Sequence, residues 1–275
     1  MWQLCRSEAT ATLPGRLCSL AVSADGTWLA GAREDVREVT VWNLRTREAI
    51  PLRLGKIGLP LLVAFSPTAP LLAIVWEMPP EKGQGPVMRN DRVILWDAGR
   101  RQLVREWRLP ESCNEVFFSA DGKLLLTADN GLSGASDGNV DTVTVVDLEA
   151  VPPRVIDKVV VGDGPEGFAI SPDGRMAVAV ILRGSNADKK AFFYNRNGSV
   201  VALKIDGKKV TRTNEIEVRG LPEGLVFSDD GKYLYVGNYL DSDVTILQVV
   251  GDQLVDTGKR MSLPGHPAAM RGRAR

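Results

Sequence analysis

Short apolar runs, each ending in a serine and a tight turn, recur five times along the chain. The runs are Leu20–Val22, Val63–Phe65, Val116–Phe118, Phe168–Ile170 and Leu225–Phe227, and the serines that follow are Ser23, Ser66, Ser119, Ser171 and Ser228. In four copies the turn contains Asp-Gly, which favours a β-hairpin because glycine accepts a positive φ and aspartate bonds its own backbone. The pattern predicts a pair of antiparallel strands in each copy.

Each copy continues in the same order, with a second strand, a polar loop, a third strand and a fourth. The predicted third strands are Val39–Leu44, Val93–Asp97, Val143–Leu148, Val200–Leu203 and Val244–Leu247, and the fourth are Ala49–Leu54, Leu103–Leu109, Arg154–Val161, Thr213–Val218 and Gln253–Leu263. Successive serines lie 43, 53, 52 and 57 residues apart, a spacing typical of propeller blades. The sequence therefore predicts an all-β fold, a β-propeller of four-stranded antiparallel blades with five clear repeats.

The two ends of the chain carry partial copies. Trp2–Ala9 resembles Trp42–Ala49, so residues 1–13 are predicted to form part of a blade, and Leu263–Met270 stands where a sixth repeat would open. Residues 264–275 are then a tail or a closing strand. Either the termini share one composite blade and close the ring, which removes sheet edges, or the chain is a piece of a longer propeller. Residues 1–275 are predicted to form a single β-propeller domain.

Charge and cysteine content narrow the functional classes. Lys plus Arg and Asp plus Glu each number 34, so the formal net charge of zero argues against nucleic acid as a partner. No apolar run has membrane-spanning length, and Met1–Arg6 lacks the apolar segment of a secretory signal, which predicts a cytoplasmic protein as written. The three cysteines (Cys5, Cys18 and Cys113) have no metal-binding spacing and are expected to be buried or half-buried thiols.

The later repeats resemble the YVTN-type β-propeller repeat family, through residues 161–174 and 221–238. The first two repeats are similar to WD repeats, through Val41–Leu44 and Leu95–Asp97, but lack the Gly-His element of that family. The resemblance implies a closed ring, often seven-bladed and often exported, and related propellers include enzymes that open sugar lactones. It is specific for fold and much less so for activity.

Candidate ligand-binding residues lie at the predicted rim of the central channel. Glu166 and Glu223 precede the innermost strands of two repeats, and Asn114 is aligned with them; Asp129 and Asn238 end two second strands. Such carboxylate and amide oxygens suit Ca²⁺. The alternative is that Pro-Glu-Gly is only the turn chemistry of the repeat, with the glutamate satisfying loop amides. The first two repeats carry Cys18 and Leu61 at that place, so a metal site would be lopsided.

The sequence is compatible with two functions. The first is a non-catalytic binding or scaffold module that presents its loops, including 78–86 and 129–138, to a protein or small ligand. No Ser-His-Asp set is recognisable, since the single histidine, His266, lies in a terminal segment, and no Cys or His cluster suits zinc, so no catalytic residue is assigned. The alternative is a lactonase-like hydrolase with a carboxylate or divalent-cation site at the channel.

Overall fold

The computed structural model describes residues 16–55, 57–79, 91–109, 111–131 and 134–270. These residues form five four-stranded antiparallel sheets, each built from four consecutive strands, which is the blade architecture of a β-propeller. The predicted fold class is confirmed. Within these ranges no helix is long and apolar enough to cross a membrane.

The blades follow one another along the chain, and in each the strands run in chain order from the channel outward. The first blade contains β1 (Ser19–Val22), β2 (Trp28–Arg33), β3 (Glu38–Asn43) and β4 (Ala49–Leu52), and the second contains β5 (Leu59–Phe65), β6 (Leu71–Glu77), β7 (Arg92–Asp97) and β8 (Gln102–Arg108). The third contains β9 (Ser112–Phe118), β10 (Leu124–Asn130), β11 (Asp141–Asp147) and β12 (Arg154–Gly162). The fourth contains β13 (Pro165–Ile170), β14 (Met176–Ile181), β15 (Ser199–Asp206) and β16 (Lys209–Glu217), and the fifth β17 (Pro222–Phe227), β18 (Tyr233–Asn238), β19 (Asp243–Val250) and β20 (Gln253–Ser262).

The repeated serine closes the hairpin between the first two strands of its blade. The Ser119 hydroxyl accepts the backbone N–H of Leu124 at 2.9 Å and donates to Asp121 Oδ1 at 2.6 Å. Ser23, Ser171 and Ser228 make the same pair of bonds. The serine bond lowers the pKa of Asp121. The serine therefore belongs to the turn, and its recurrence reflects folding.

Apolar side chains fill the space between consecutive blades. Four clusters join the first blade to the second, the second to the third, the third to the fourth and the fourth to the fifth. Residues of the middle strands such as Leu72, Leu125 and Val178 are fully buried, because a neighbouring blade covers each face of those sheets. Burial of this apolar surface, at roughly 25 cal/mol per Å², is the main force holding the blades together.

The segment after β20 crosses the free face of the fifth blade. Residues 263–270 contain no strand, and Pro267 packs over Gly237. A Cβ added to Gly237 would lie 2.9 Å from the Pro267 side chain. The His266 ring stacks on Tyr239 at 4.7 Å, and its Nδ1 lies 2.6 Å from the Tyr239 carbonyl oxygen. The alternatives for 264–275 are a tail or a closing strand, and the described part, 264–270, forms no strand. Residues 1–13 and 271–275 lie outside the described ranges.

The two described cysteines differ from each other. Cys113 is buried, as expected, whereas Cys18 is exposed, which corrects the expectation of a buried or half-buried thiol. Cys18 precedes β1, the innermost strand of the first blade, and its Sγ lies 3.4 Å from the Pro60 carbonyl oxygen of the second blade. Burial raises the pKa of the Cys113 thiol well above its usual value.

Candidate functional site

Three of the five predicted site residues meet in one recess at the channel. Asn114, Glu166 and Glu223 come from the inner strands β9, β13 and β17, and the recess also borders Glu115. Ala268 and Ala269 of the C-terminal segment complete its wall. The recess has a volume of about 130 Å³, which is room for a few water molecules or one small ring.

The inner strands aim these side chains through β-bulges. In β13 the pairing shifts between Pro165 and Phe168, and in β17 it shifts between Pro222 and Leu225, so each Glu-Gly pair stands outside the ladder. A bulge turns a side chain away from the direction that regular pleating would give it. Asn114 occupies the corresponding irregularity of β9.

The glycines of the two Pro-Glu-Gly sequences are required by close packing. A Cβ on Gly167 would lie 2.1 Å from the carbonyl oxygen of Glu223, and one on Gly224 would lie 2.8 Å from the backbone of Ala269. The inner strands β13 and β17, and β17 and the C-terminal segment, therefore pack backbone to backbone at the recess. This close approach accounts for the glycine of the motif but leaves the glutamate free for another role.

The carboxylates of the recess are partly withdrawn from water. Burial, and second the charge of Glu223, raises the pKa of Glu166 above its ordinary value. Burial also raises the pKa of Glu223. The Asn114 amide donates to the Pro165 carbonyl oxygen at 3.1 Å and to Glu166 Oε2 at 3.4 Å, so it orients the Glu166 side chain. Two carboxylates with raised pKa values are suited to proton transfer.

Asp129 is the first of the two predicted residues that the structure places outside the recess. It is fully buried and accepts hydrogen bonds from Thr127 Oγ1 at 2.7 Å and from the Thr144 hydroxyl. Burial raises its pKa to about 6, and Lys158 Nζ lies 4.0 Å from its carboxylate. Asp129 therefore joins the second and third strands of its blade.

Asn238 has the same structural role in the fifth blade. It is fully buried, and its Nδ2 donates to Asp243 Oδ1 at 2.7 Å and to Thr245 Oγ1 at 2.8 Å. Of the five residues predicted at the rim, Asn114, Glu166 and Glu223 line the recess and Asp129 and Asn238 do not. Asp129 and Asn238 end strands that the next strand and the neighbouring blade cover, which the spacing from the serine does not reveal.

The recess does not fit the Ca²⁺ site that the sequence suggested. Among the described residues, no three Asp, Glu, His or Cys side chains converge in a way that could hold a metal ion. Asn114 also turns its amide N–H, and not its oxygen, toward Glu166. Calcium prefers six to eight oxygen ligands, so no chemistry is assigned to it here.

A larger cavity, of about 880 Å³, occupies the channel beside the recess. It is lined by Cys18–Val22 of the first blade, Leu62–Phe65 of the second and Glu115–Phe118 of the third. Glu115 borders both spaces. The sequence did not indicate Glu115 or the wall formed by Ala268 and Ala269. The likeness of Leu263–Met270 to the start of a repeat could have indicated that this segment lies beside the inner strands.

Comparisons with solved structures support the propeller fold. No protein-family model and no curated protein matches the sequence. Among solved structures, hydrazine synthase of Kuenenia stuttgartiensis is similar with a TM-score of 0.63 and 21% identity, covering 91% of this chain and 76% of that one. A putative 6-phosphogluconolactonase from Bacteroides uniformis is similar with a TM-score of 0.63 and 17% identity, covering 94% of this chain and 75% of that one.

The periplasmic gluconolactonase of Pseudomonas aeruginosa is similar to the same degree, with a TM-score of 0.63 and 17% identity, covering 90% of this chain and 73% of that one. At these identities the likeness establishes the fold alone. The protein is a β-propeller whose structural neighbours include lactonases. Its activity has to be argued from the recess.

Proposed function

We propose that the protein is a lactonase-like hydrolase that opens a small cyclic ester at the recess, with Glu166 as general base. The observation that carries the proposal is the pairing of a partly buried carboxylate of raised pKa with a second carboxylate, Glu223, and an orienting amide, Asn114. The occurrence of lactonases among the structural neighbours supports the choice of a cyclic ester.

The reaction needs one proton acceptor and one proton donor. The Glu166 carboxylate takes a proton from a water molecule, and the water oxygen attacks the ester carbonyl carbon. The ring C–O bond then breaks, and Glu166 returns the proton to the departing ring oxygen, which leaves a hydroxy acid. A carboxylate whose pKa is raised is a stronger base than an ordinary glutamate, which favours the first step.

The other two residues act through Glu166. Burial and, second, the charge of Glu223 raise the pKa of Glu166, and Asn114 fixes the carboxylate by donating to Oε2. We regard Asn114 as a positioning residue. Its replacement by alanine is expected to lower kcat more than it raises KM, because the base loses its orientation while the recess keeps its walls.

A hydrolysis assay tests the proposal. The full chain is incubated with uncharged five- and six-membered sugar lactones, and acid release is followed against the spontaneous rate. Glu166→Gln is expected to lose roughly 100-fold or more of kcat and the acidic limb of the pH profile. Glu149→Gln, an exposed glutamate outside the recess, is the matched control and should retain activity. Full activity in Glu166→Gln, or no turnover by the purified chain, refutes the proposal.

The binding-module hypothesis remains the second candidate. The observation that favours it is the channel cavity of about 880 Å³, which lies in the size range of small-molecule sites. It predicts that a ligand binds without turnover, and that Leu62→Asp in the cavity wall abolishes binding whereas Glu166→Gln does not. Calorimetric titration of these variants, on the same preparations, separates the two functions.

A further inference from the structure

We infer that the recess selects uncharged lactones and rejects those that carry a phosphate or carboxylate group. The inference rests on the proposed function and names its substrate class. The hydrolytic mechanism alone does not decide between charged and uncharged lactones, whereas the charge of the lining residues does.

The lining of the recess is acidic. Glu115, Glu166 and Glu223 border it, and its other residues are Asn114 together with glycine and apolar residues of the inner strands and of the C-terminal segment. Within the described part of the chain, no lysine or arginine lines it. An anionic group that entered would therefore meet carboxylates and no cation.

Basic residues at the neighbouring loops are already engaged. Arg196 forms an ion pair with Asp241 at 2.6 Å, and Arg219 forms one with Asp243 at 2.7 Å. Moving either arginine to an incoming phosphate would break an existing pair. Neither Arg196 nor Arg219 is therefore unpaired and available to offset the acidic lining.

The small size of the recess strengthens the effect of its charge. At about 130 Å³ it holds about one small ring, so a phosphate group on that ring would lie against the acidic lining at its mouth. Like charges in a partly buried site repel each other far more than in bulk water. We expect kcat/KM for an uncharged lactone to exceed that for its phosphate ester by about 100-fold or more.

The C-terminal wall provides a way to weaken the selectivity. Ala268 borders the recess and is exposed, so a longer side chain can be accommodated there without disturbing the core. Ala268→Lys brings an ammonium group to the carboxylates, and Ala268→Gln has similar bulk without charge. The lysine variant is expected to narrow the preference by about 10-fold, and the glutamine variant is expected to leave it unchanged.

The experiment measures kcat/KM of the full chain and both variants for an uncharged sugar lactone and its phosphate ester, at low and high salt. Turnover of the phosphate ester equal to or faster than that of the uncharged lactone overturns the inference and leaves the proposed function standing. No turnover of either substrate refutes the proposed function. In that case the binding of the corresponding lactams, uncharged and phosphorylated, is measured by calorimetry, because lactams resist hydrolysis. Tighter binding of the uncharged lactam supports the inferred charge preference, and equal, reversed or absent binding overturns it.

Discussion

Replacing Asp129 by asparagine is expected to stabilise the protein at neutral pH. Asp129 is 0% exposed, and burial raises its pKa from the ordinary 3.8 to about 6. A carboxyl group whose pKa is raised by folding contributes stability that is present below pH 3.8 and lost as the pH rises through about 6. Above that range the ionised group destabilises the fold.

The size of the effect follows from the same shift. The difference between 3.8 and about 6 corresponds to about 3 kcal/mol, because each pKa unit is worth about 1.4 kcal/mol. That shift already includes the attraction of Lys158 Nζ, which lies 4.0 Å from the carboxylate. The gain from Asp129→Asn at neutral pH is therefore at most about 3 kcal/mol.

The fifth blade shows that asparagine fits this environment. Asn238 occupies the corresponding place and donates to Thr245 Oγ1 at 2.8 Å, and the new amide of the Asp129→Asn variant would donate to the Thr144 hydroxyl in the same way. The Asn238 side chain is equally buried. The substitution thus keeps a hydrogen-bonding group at a position where an apolar residue would leave the threonine hydroxyls without their partner.

Urea and thermal unfolding at about pH 7.5 and about pH 4.5 test the reasoning. The variant is expected to melt about 5 °C higher at the upper pH and to lose most of that advantage at the lower one. Asp256→Asn is a control of opposite sign, because Arg260 lowers the pKa of Asp256 and its loss should destabilise slightly. Destabilisation by Asp129→Asn at neutral pH, or a gain independent of pH, would refute the account.

The remaining predictions concern the hairpin turns and the C-terminal wall. Gly122→Ala is expected to lower the free energy of unfolding in urea by about 1 kcal/mol more than Gly26→Ala does. Both glycines have positive φ, but an added Cβ would lie 2.0 Å from Thr68 Oγ1 at Gly122 and would meet nothing within 4 Å at Gly26. Equal losses of stability in the two variants would contradict the effect of this contact. His266→Ala removes the ring stacking and the hydrogen bond to Tyr239. Amide hydrogen exchange over residues 264–270 is therefore expected to become faster, while the amides of β17 stay protected. Unchanged exchange would show that other contacts hold the C-terminal segment in place.

The blades themselves could be predicted because each is encoded locally. The apolar runs, the Asp-Gly turns and the repeated serine recur in every blade or nearly so, and the observed bounds agree with the predicted strands to within a few residues. The fourth strand of the fourth blade begins earlier than predicted, at Lys209, because a Gly207 turn of positive φ lets the hairpin continue outward. The resemblance to YVTN-type repeats stays a prediction.

The site could be predicted only in part, and the boundary has a physical cause. Sequence alone determined that Asn114, Glu166 and Glu223 hold equivalent places at the start of inner strands, because the repeat fixes those places. Only the tertiary structure decided that bulges aim these three into one recess, that Ala268 and Ala269 close it, and that Asp129 and Asn238 are buried away from it. Exposure at a strand end depends on what the neighbouring strand and blade cover, and that is a property of packing which no single repeat encodes.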